Sequence, residues 1–213
     1  SVDADLLNFL IKKMMASCPV KIIVMSATLQ TDMLGVYFTP PSEEVQPAIF
    51  VGVKRFPVRR IFLETLCSEV SGIADGLINK VASQFYQPNV NAKFTNDAKK
   101  LVVQCIQAVE VPDSTILIFL PGMDEICTVQ EELEKRAVLN TVVHVLHSQV
   151  PQEDQDAALE PPEQGTCKVI LATNIAESSI TIPDVSVVVD CGLVRGIFYD
   201  DRRKLQCLLC KWC

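Results

Sequence analysis

Short apolar runs alternate with amphipathic segments along most of the chain. The runs 21–25, 115–120, 168–172 and 185–190 hold few polar residues, which is typical of strands buried on both faces of a parallel sheet. The segment 97–110 instead spaces its apolar residues by three and four positions, the period of one helix face. Strands that alternate with such helices form βαβ units, so the pattern predicts an α/β fold with a parallel sheet.

The remaining elements follow from the same periodicities. Residues 67–96 have a mixed composition and no clear period, and no element is predicted there. The C-terminal stretch predicts a β-hairpin with strands 196–199 and 204–209 around an Asp-Asp-Arg turn. Further helices are predicted at 3–16, 29–37, 123–136 and 152–159, and further strands at 49–51, 60–63 and 141–146.

Small polar residues directly follow four of the predicted strands, in the loops 26–28, 121–122, 147–149 and 173–181. Ligands of open α/β sheets bind at the carboxyl ends of the strands, so we expect these loops to line one crevice. The densest loop, 173–181, combines hydroxyls with an amide and a carboxylate, and such groups hold phosphates without a large positive field. The alternatives are a helix cap at Ser26 and Thr28 and an elaborate turn at 173–181.

Composition changes this picture in one respect. The 213 residues are 49% hydrophobic, which is enough for a substantial core, but the net charge is −7. An acidic surface argues against nucleic-acid binding by bulk electrostatics. Residues 121–164 contain ten acidic side chains but only two basic ones, Lys135 and Arg136. Such a pattern is typical of solvated helix faces. No apolar run reaches the roughly 18 residues of a membrane-spanning helix.

Nine cysteines argue against a complete disulfide framework, because the count is odd. Cys207, Cys210 and Cys213 are spaced like a metal knuckle, but they lie in the predicted hairpin and no fourth ligand is evident, so no metal is expected. Unpaired thiols indicate a reducing compartment, the cytoplasm or the nucleus. Five cysteines lie in apolar stretches and are expected to be buried: Cys18, Cys67, Cys105, Cys127 and Cys191.

Four segments resemble helicase motifs. Residues 24–29, Val-Met-Ser-Ala-Thr-Leu, resemble motif III of superfamily 2 helicases. Residues 116–122, Ile-Leu-Ile-Phe-Leu-Pro-Gly, resemble motif IV of the DEAH-box/RHA group, and residues 171–181 resemble its motif V. Residues 146–151, Leu-His-Ser-Gln-Val-Pro, are similar to the corresponding segment of the RNA helicase A branch. The order and spacing of these motifs agree along nearly the whole chain.

The resemblance implies a domain organisation. Residues 1–45 would be the end of a first RecA-like domain, and residues 46–60 a linker. Residues 61–213 would be most of a second RecA-like domain, a parallel sheet with helices on both faces plus the C-terminal hairpin, truncated before motif VI. The chain contains no Gly-x-x-x-x-Gly-Lys-Ser/Thr, Asp-Glu-x-His or Gln-Arg-x-Gly-Arg motif. The groups that hold the phosphates and Mg²⁺ are therefore expected outside it, and this fragment alone is predicted to be inactive.

The resemblance also implies roles for individual residues. Ser26, Ala27 and Thr28 would couple the nucleotide state to domain movement. RNA-backbone contacts are implied for Gly122, His147, Ser148, Thr173, Asn174 and Arg195, and nucleotide contacts for Leu159, Ser179, Thr181 and Asp184. For Arg195 the alternative to an RNA contact is an ordinary surface position.

Two positions depart from the pattern of the family. Leu159 stands where many relatives carry a Phe against the adenine, so we expect loose selectivity among nucleoside triphosphates. Pro183 stands where the family often has Asp or Asn, and the neighbouring Asp184 would have to supply any ribose contact.

The activity implied is that of an ATP-dependent RNA helicase, with ATP and Mg²⁺ as cofactors. Its partner would be single-stranded RNA, with DNA as a second candidate, and movement would be 3′→5′. Recognition of the backbone by hydroxyls, amides and N–H groups needs few cations, which reconciles this role with the acidic composition. The competing hypothesis is an inactive helicase-like scaffold for protein partners, favoured by the net charge and by Leu159 and Pro183.

Overall fold

The computed structural model describes all residues except 1, 26–30, 41, 46, 48, 50–56, 85–91, 136–139, 175–181 and 201–203. The chain divides into two compact units, Ser1–Val58 and Arg59–Cys213. The division falls inside the predicted linker 46–60. The assignment of the units to two RecA-like domains stays a prediction.

The described residues of the first unit form two helices, α1 (Val2–Met15) and α2 (Thr31–Phe38), and both are predicted by the sequence. The ammonium of Lys12 joins them, donating to the carbonyl of Tyr37 at 2.5 Å. The predicted strand 21–25 is wrong: these residues have no regular structure, and Ile23 is 81% exposed. A strand needs a neighbouring strand for its backbone hydrogen bonds, and the described part of this unit has none to offer.

A four-stranded parallel sheet organises the second unit. Its strands are β1 (Ser114–Phe119), β2 (Thr141–Leu146), β3 (Cys167–Ala172) and β4 (Val185–Asp190), in the order β2-β3-β1-β4. The helices α5 (Asn96–Val109), α6 (Met123–Lys135) and α7 (Gln152–Leu159) connect or precede these strands. Seven predicted elements are thereby confirmed to within one or two residues.

Helices cover both faces of this sheet. On β3, Val169 and Leu171 belong to the core that α5 and α6 complete with Ile106 and Ile126. The intervening Ile170 belongs to a second core on the opposite face, where α7 contributes Ala158. The strict alternation follows from the two-residue period of a strand, and it confirms the predicted arrangement of helices on both sides.

Two short helices before α5 are absent from the sequence-based prediction. A 3₁₀ turn (Leu63–Thr65) runs into α3 (Leu66–Glu69), and α4 (Asp75–Ala82) packs Ile78 and Val81 against α5. The predicted strand 60–63 is wrong, and Phe62 beside the turn is 64% exposed. Of the predicted strand 49–51, residue 49 has no regular structure and the other two lie outside the described residues.

The predicted C-terminal hairpin is confirmed but is longer than expected. Its strands are β5 (Leu193–Asp200) and β6 (Leu205–Trp212), paired antiparallel over their full lengths. The base of the hairpin is anchored to the unit, because Leu193 and Cys210 are buried and the carbonyl of Cys210 accepts from the amide of Ala92 at 3.0 Å. Alternation along β6 places Cys210 on the opposite face of the strand from Cys207, so the side chains of these two cysteines point apart.

The cysteines of the apolar stretches are less uniformly buried than expected. Cys105 is buried, and Cys67 and Cys191 are half-buried. Cys18 and Cys127 are exposed, so the prediction is wrong for these two. Cys18 follows the end of α1, and Cys127 lies on the outer face of α6.

Among the described helices, none is long and apolar enough to cross a membrane.

Candidate functional site

The four parallel strands of the second unit end together at one edge. In the register of the sheet, Phe119 at the end of β1 lies beside Ala172 of β3 and Asp190 of β4. Leu146 at the end of β2 lies on the other side of Ala172. We call this the carboxyl edge, and any loop that follows one of these residues starts from it.

Main-chain hydrogen bonds continue past the strands and hold the loops side by side. The amide of Leu120 donates to the carbonyl of Ala172 at 2.8 Å, and the amide of Thr173 donates to the carbonyl of Leu146 at 3.4 Å. The predicted loops 121–122, 147–149 and 173–174 therefore leave the carboxyl edge as neighbours, as expected. The loop 26–28 lies outside the described residues, as do residues 175–181.

Gly122 is the most constrained position of the edge. It is buried between β1 and α6, and its carbonyl accepts from the amide of Ile126 in the first turn of the helix. A Cβ at this position would lie 2.3 Å from Nη1 of Arg195 and 3.0 Å from Oε2 of Glu125. Only a residue without a side chain leaves room for that guanidinium.

Arg195 reaches this position from β5 and forms an ion pair with α6. Its Nη2 donates to Oε1 of Glu125 at 2.6 Å, with the two side chains 29% and 15% exposed. The other carboxylate oxygen of Glu125 is buried and has no hydrogen-bond partner among the described residues. The arginine is thus packed against the carboxyl edge rather than extended from an open surface.

The other predicted RNA contacts present small polar groups along the same edge. Thr173 is buried. Asn174, the next residue, and Ser148, two residues after the Leu146 carbonyl that the Thr173 amide binds, are exposed. Nδ1 of His147 accepts from the amide of Gln149 at 3.2 Å, so in the neutral ring the proton lies on Nε2. The structure therefore brings together Gly122, His147, Ser148, Thr173, Asn174 and Arg195.

The described members of the predicted nucleotide set lie at the opposite edge. Leu159 ends α7, and Asp184, with a φ of 62°, immediately precedes β4. Lys168, the second residue of β3, joins this strand to the end of α7. Its ammonium donates to the carbonyl of Ala158 at 3.1 Å and to that of Glu160. Ser179 and Thr181, and likewise Ser26, Ala27 and Thr28, are outside the described residues.

Burial controls the ionisation of two groups beneath α7. It lowers the pKa of Lys168, an effect that the charges of Asp184 and Glu160 partly oppose. Burial also lowers the pKa of His144 on β2, and the nearby charge of Lys168 lowers it further. Lys168 is only 2% exposed and donates to main-chain carbonyls, so it is a capping residue for α7 rather than a ligand for phosphate.

The described residues do not by themselves fit an ATP–Mg²⁺ site. No group of three His, Cys, Asp or Glu side chains able to hold a metal occurs in the described ranges. Leu159 and Asp184 flank a lysine that is already engaged with carbonyls.

Sequence reasoning missed Glu125 as a member of the site. In the sequence it is one of two acids in the first turn of α6, where the helix dipole already explains it. Its partner is 70 residues away, and no local pattern connects the two.

A family model and two curated relatives both point to helicases. The model described as "Helicase conserved C-terminal domain" matches residues 97–205, just over half of the chain, from α5 to the start of β6. The chain is similar to "Probable ATP-dependent RNA helicase spindle-E" of Aedes aegypti, with 31% identity over 99% of this chain and 16% of that protein. It is similar to "ATP-dependent RNA helicase TDRD9" of Danio rerio, with 31% identity over 100% of this chain and 17% of that protein.

A solved structure agrees with these relatives. The E. coli DExH-box NTPase HrpB superposes with a TM-score of 0.50 and 35% sequence identity, over 59% of this chain and 15% of that chain. The chain thus spans about one sixth of the length of the curated relatives named above. The matched fold supports the RecA-like description of the sheet and its helices.

Proposed function

Because the chain belongs to the helicase conserved C-terminal domain family, in the DEAH/RHA group of superfamily 2 helicases, we propose that it is part of an ATP-dependent RNA helicase. The carboxyl edge of its sheet contacts the backbone of single-stranded RNA. Binding and hydrolysis of ATP between two RecA-like domains move the strand in the 3′→5′ direction. In this proposal residues 1–45 belong to the first of these domains, residues 46–60 form the linker, and residues 61–213 belong to the second.

One observation carries the proposed RNA contact: the register of β1, β2 and β3 sets their carboxyl-terminal loops side by side. Those loops offer hydroxyls, an amide and main-chain N–H groups in a row, with one guanidinium beside them. Such groups bind phosphate and sugar and position a strand without reading its sequence. Neutral donors of this kind suit a chain with a net charge of −7.

The test of the RNA contact is RNA-stimulated ATP hydrolysis by the full-length protein. Thr173→Ala and Asn174→Ala are expected to raise the RNA concentration needed for half-maximal stimulation, because each removes one polar group from the carboxyl edge. Asn79→Ala is the matched control, since Asn79 is exposed and lies on α4, a helix that packs against α5. Unchanged stimulation in both edge variants would refute the assigned contacts.

Direction and substrate need a separate assay. A 3′→5′ enzyme unwinds a duplex that carries a 3′ single-stranded overhang and leaves a 5′ overhang duplex intact. RNA and DNA overhangs of equal length, tested in parallel, decide whether DNA is also a substrate. Preference for the 5′ overhang would contradict the proposed direction.

A scaffold for protein partners is the second candidate. It is favoured by the acidic exposed surface of α7, where Glu153, Asp154 and Asp156 all face solvent. The full-length protein would then bind partners but show no ATP hydrolysis with or without RNA. The chain of 213 residues by itself is expected to show no hydrolysis under either hypothesis, and turnover by the pure chain would contradict both.

A further inference from the structure

Three elements of the second unit meet at the Arg195–Glu125 ion pair: the end of β1, the first turn of α6 and strand β5. We propose that Glu125 is a positioning residue, which holds the guanidinium of Arg195 against Gly122 so that it faces the RNA backbone. The inference rests on the proposed function, since it names how one of the RNA contacts is oriented.

The geometry of the pair is specific. The Nη2–Oε1 distance of 2.6 Å is that of a charge-assisted hydrogen bond, and both side chains are more than two thirds buried. Nη1 of the same guanidinium occupies the space that a side chain at residue 122 would need. The guanidinium is therefore held by Glu125 on α6 and lies close against the main chain of the edge at Gly122.

A guanidinium held in this way retains donors for a second partner. Arginine carries five N–H donors in a rigid fork, and the described contact with Glu125 uses one nitrogen. The side chain of Arg195 is 29% exposed, so part of it still reaches solvent. A planar fork with open donors beside a row of hydroxyls is suited to a phosphodiester oxygen.

The alternative is that the pair only fastens the hairpin to the sheet. Both views predict a loss of stability when Glu125 is removed, so stability does not separate them. RNA affinity does, because the two views differ in sign. Removing an acid beside an RNA site strengthens binding by electrostatics alone, whereas loss of a positioning residue weakens it.

The experiment measures binding of a single-stranded oligonucleotide to full-length Glu125→Ala, Glu125→Gln and Glu131→Ala. Glu131 is the matched control: it lies on the same helix, 64% exposed, in a loose 3.9 Å pair with Lys135. We expect Glu125→Ala to raise Kd about 10-fold, the effect of one misplaced charge-assisted contact. Glu131→Ala should leave Kd unchanged or slightly lower. Glu125→Gln keeps an oxygen acceptor for Nη2 and should show a smaller increase in Kd.

Kinetics and hydrogen exchange provide the remaining readouts. In RNA-stimulated ATP hydrolysis, Glu125→Ala should raise KM for RNA and leave kcat near the wild-type value, since saturating RNA reorders the arginine. Hydrogen exchange of the amides of β5 and β6 reports, without RNA, whether the hairpin has loosened. If the hairpin is loosened in Glu125→Ala while its RNA affinity is normal, the ion pair only stabilises the hairpin against the sheet and does not position Arg195 for RNA.

The outcomes separate the two proposals. If the wild-type protein binds no RNA, the proposed function fails and the inference falls with it. If the wild type binds RNA and Glu125→Ala binds as tightly as Glu131→Ala, or more tightly, only the inference is overturned. Should Glu125→Ala fail to fold, the comparison of Glu125→Gln with Glu131→Gln decides by the same rule.

Discussion

Substitution of Gly122 by Ala places a methyl group where the guanidinium of Arg195 now lies. The new Cβ would stand 2.3 Å from Nη1, and ordinary contact begins at 3.4 Å, so the guanidinium must retreat by about 1.1 Å. The end of a flexible side chain yields more easily than the backbone of β1 or α6. The structure therefore predicts that the arginine moves and that its 2.6 Å bond to Glu125 is stretched or lost.

The size of the effect follows from that bond. A hydrogen bond to a charged group contributes about 1.5–3 kcal/mol to stability. The pair is partly exposed, at 29% and 15%, and water replaces some of what is lost, so we expect a decrease of about 1 kcal/mol in the free energy of unfolding. For a protein of this length a loss of that size lowers Tm by about 2–4 °C.

Urea unfolding of four proteins tests the reasoning: the wild type, Gly122→Ala, Arg195→Met and the double variant. The glycine substitution should cost about 1 kcal/mol in the wild-type background and close to nothing when residue 195 carries no guanidinium. Gly76→Ala on α4 is the matched control, because a Cβ there meets nothing within 4 Å. It should stabilise the helix by about 0.5–1 kcal/mol. An equal cost of Gly122→Ala in both backgrounds would show that Arg195 is not the obstacle.

Three further predictions concern the interior of the second unit. Burial raises the pKa of the Cys105 thiol to about 11, so a short pulse of iodoacetamide should alkylate the exposed Cys127 before Cys105. Mass spectrometry measures the two alkylation rates, and equal rates would contradict the packing of α5. The pKa of His144 is lowered below 6.5, so the unfolded chain binds more protons and the free energy of unfolding should fall as pH drops below about 6.5. Urea titrations at pH 7.5 and 5.5 should show a smaller fall for His144→Gln, and an identical fall would exclude this histidine as the cause. Lys168→Met leaves the buried carbonyl of Ala158 without its donor and should lower the free energy of unfolding by about 1–3 kcal/mol; an unchanged urea midpoint would contradict its capping role.

Periodicity sufficed for elements whose environment is uniform along their length. Helix α5 repeats its apolar residues over 14 positions, and β3 is buried at every residue, so each pattern has one interpretation. The apolar runs 21–25 and 60–63 resemble the run of β3 in sequence, but they lack strand partners among the described residues. Whether an apolar run becomes a strand is thus decided by its neighbours in the fold, which no local pattern reveals. Helix α4 was missed because it lies in a stretch of mixed composition and has a glycine near its start.

The candidate site divides in a similar way. That the loops after β1, β2 and β3 would meet followed from topology alone, because parallel strands present their carboxyl ends to the same edge. The partnership of Glu125 with Arg195 did not follow, since each residue has an adequate local explanation as a first-turn acid or a surface cation. The lysine of β3 was equally hidden, because a single polar residue in an apolar run gives no sign of the helix terminus that it caps.

These two pairings bear on how an acidic chain could hold a polyanion. Arg195 at the carboxyl edge is matched by a carboxylate, and Lys168 lies at the opposite edge, where it is directed to carbonyls inside the fold. Neither therefore adds an unbalanced positive charge to the carboxyl edge. What the edge offers instead is a set of neutral donors fixed by the register of three strands, together with one guanidinium of fixed orientation. Affinity built in this way depends on the placement of hydrogen bonds more than on counterion release, and placement is what a rigid parallel sheet provides. The net charge of −7 is then no obstacle to the proposed backbone contact, because the acidic residues of α6 and α7 lie mainly on exposed helix faces, while the groups proposed to contact RNA lie at the ends of buried strands.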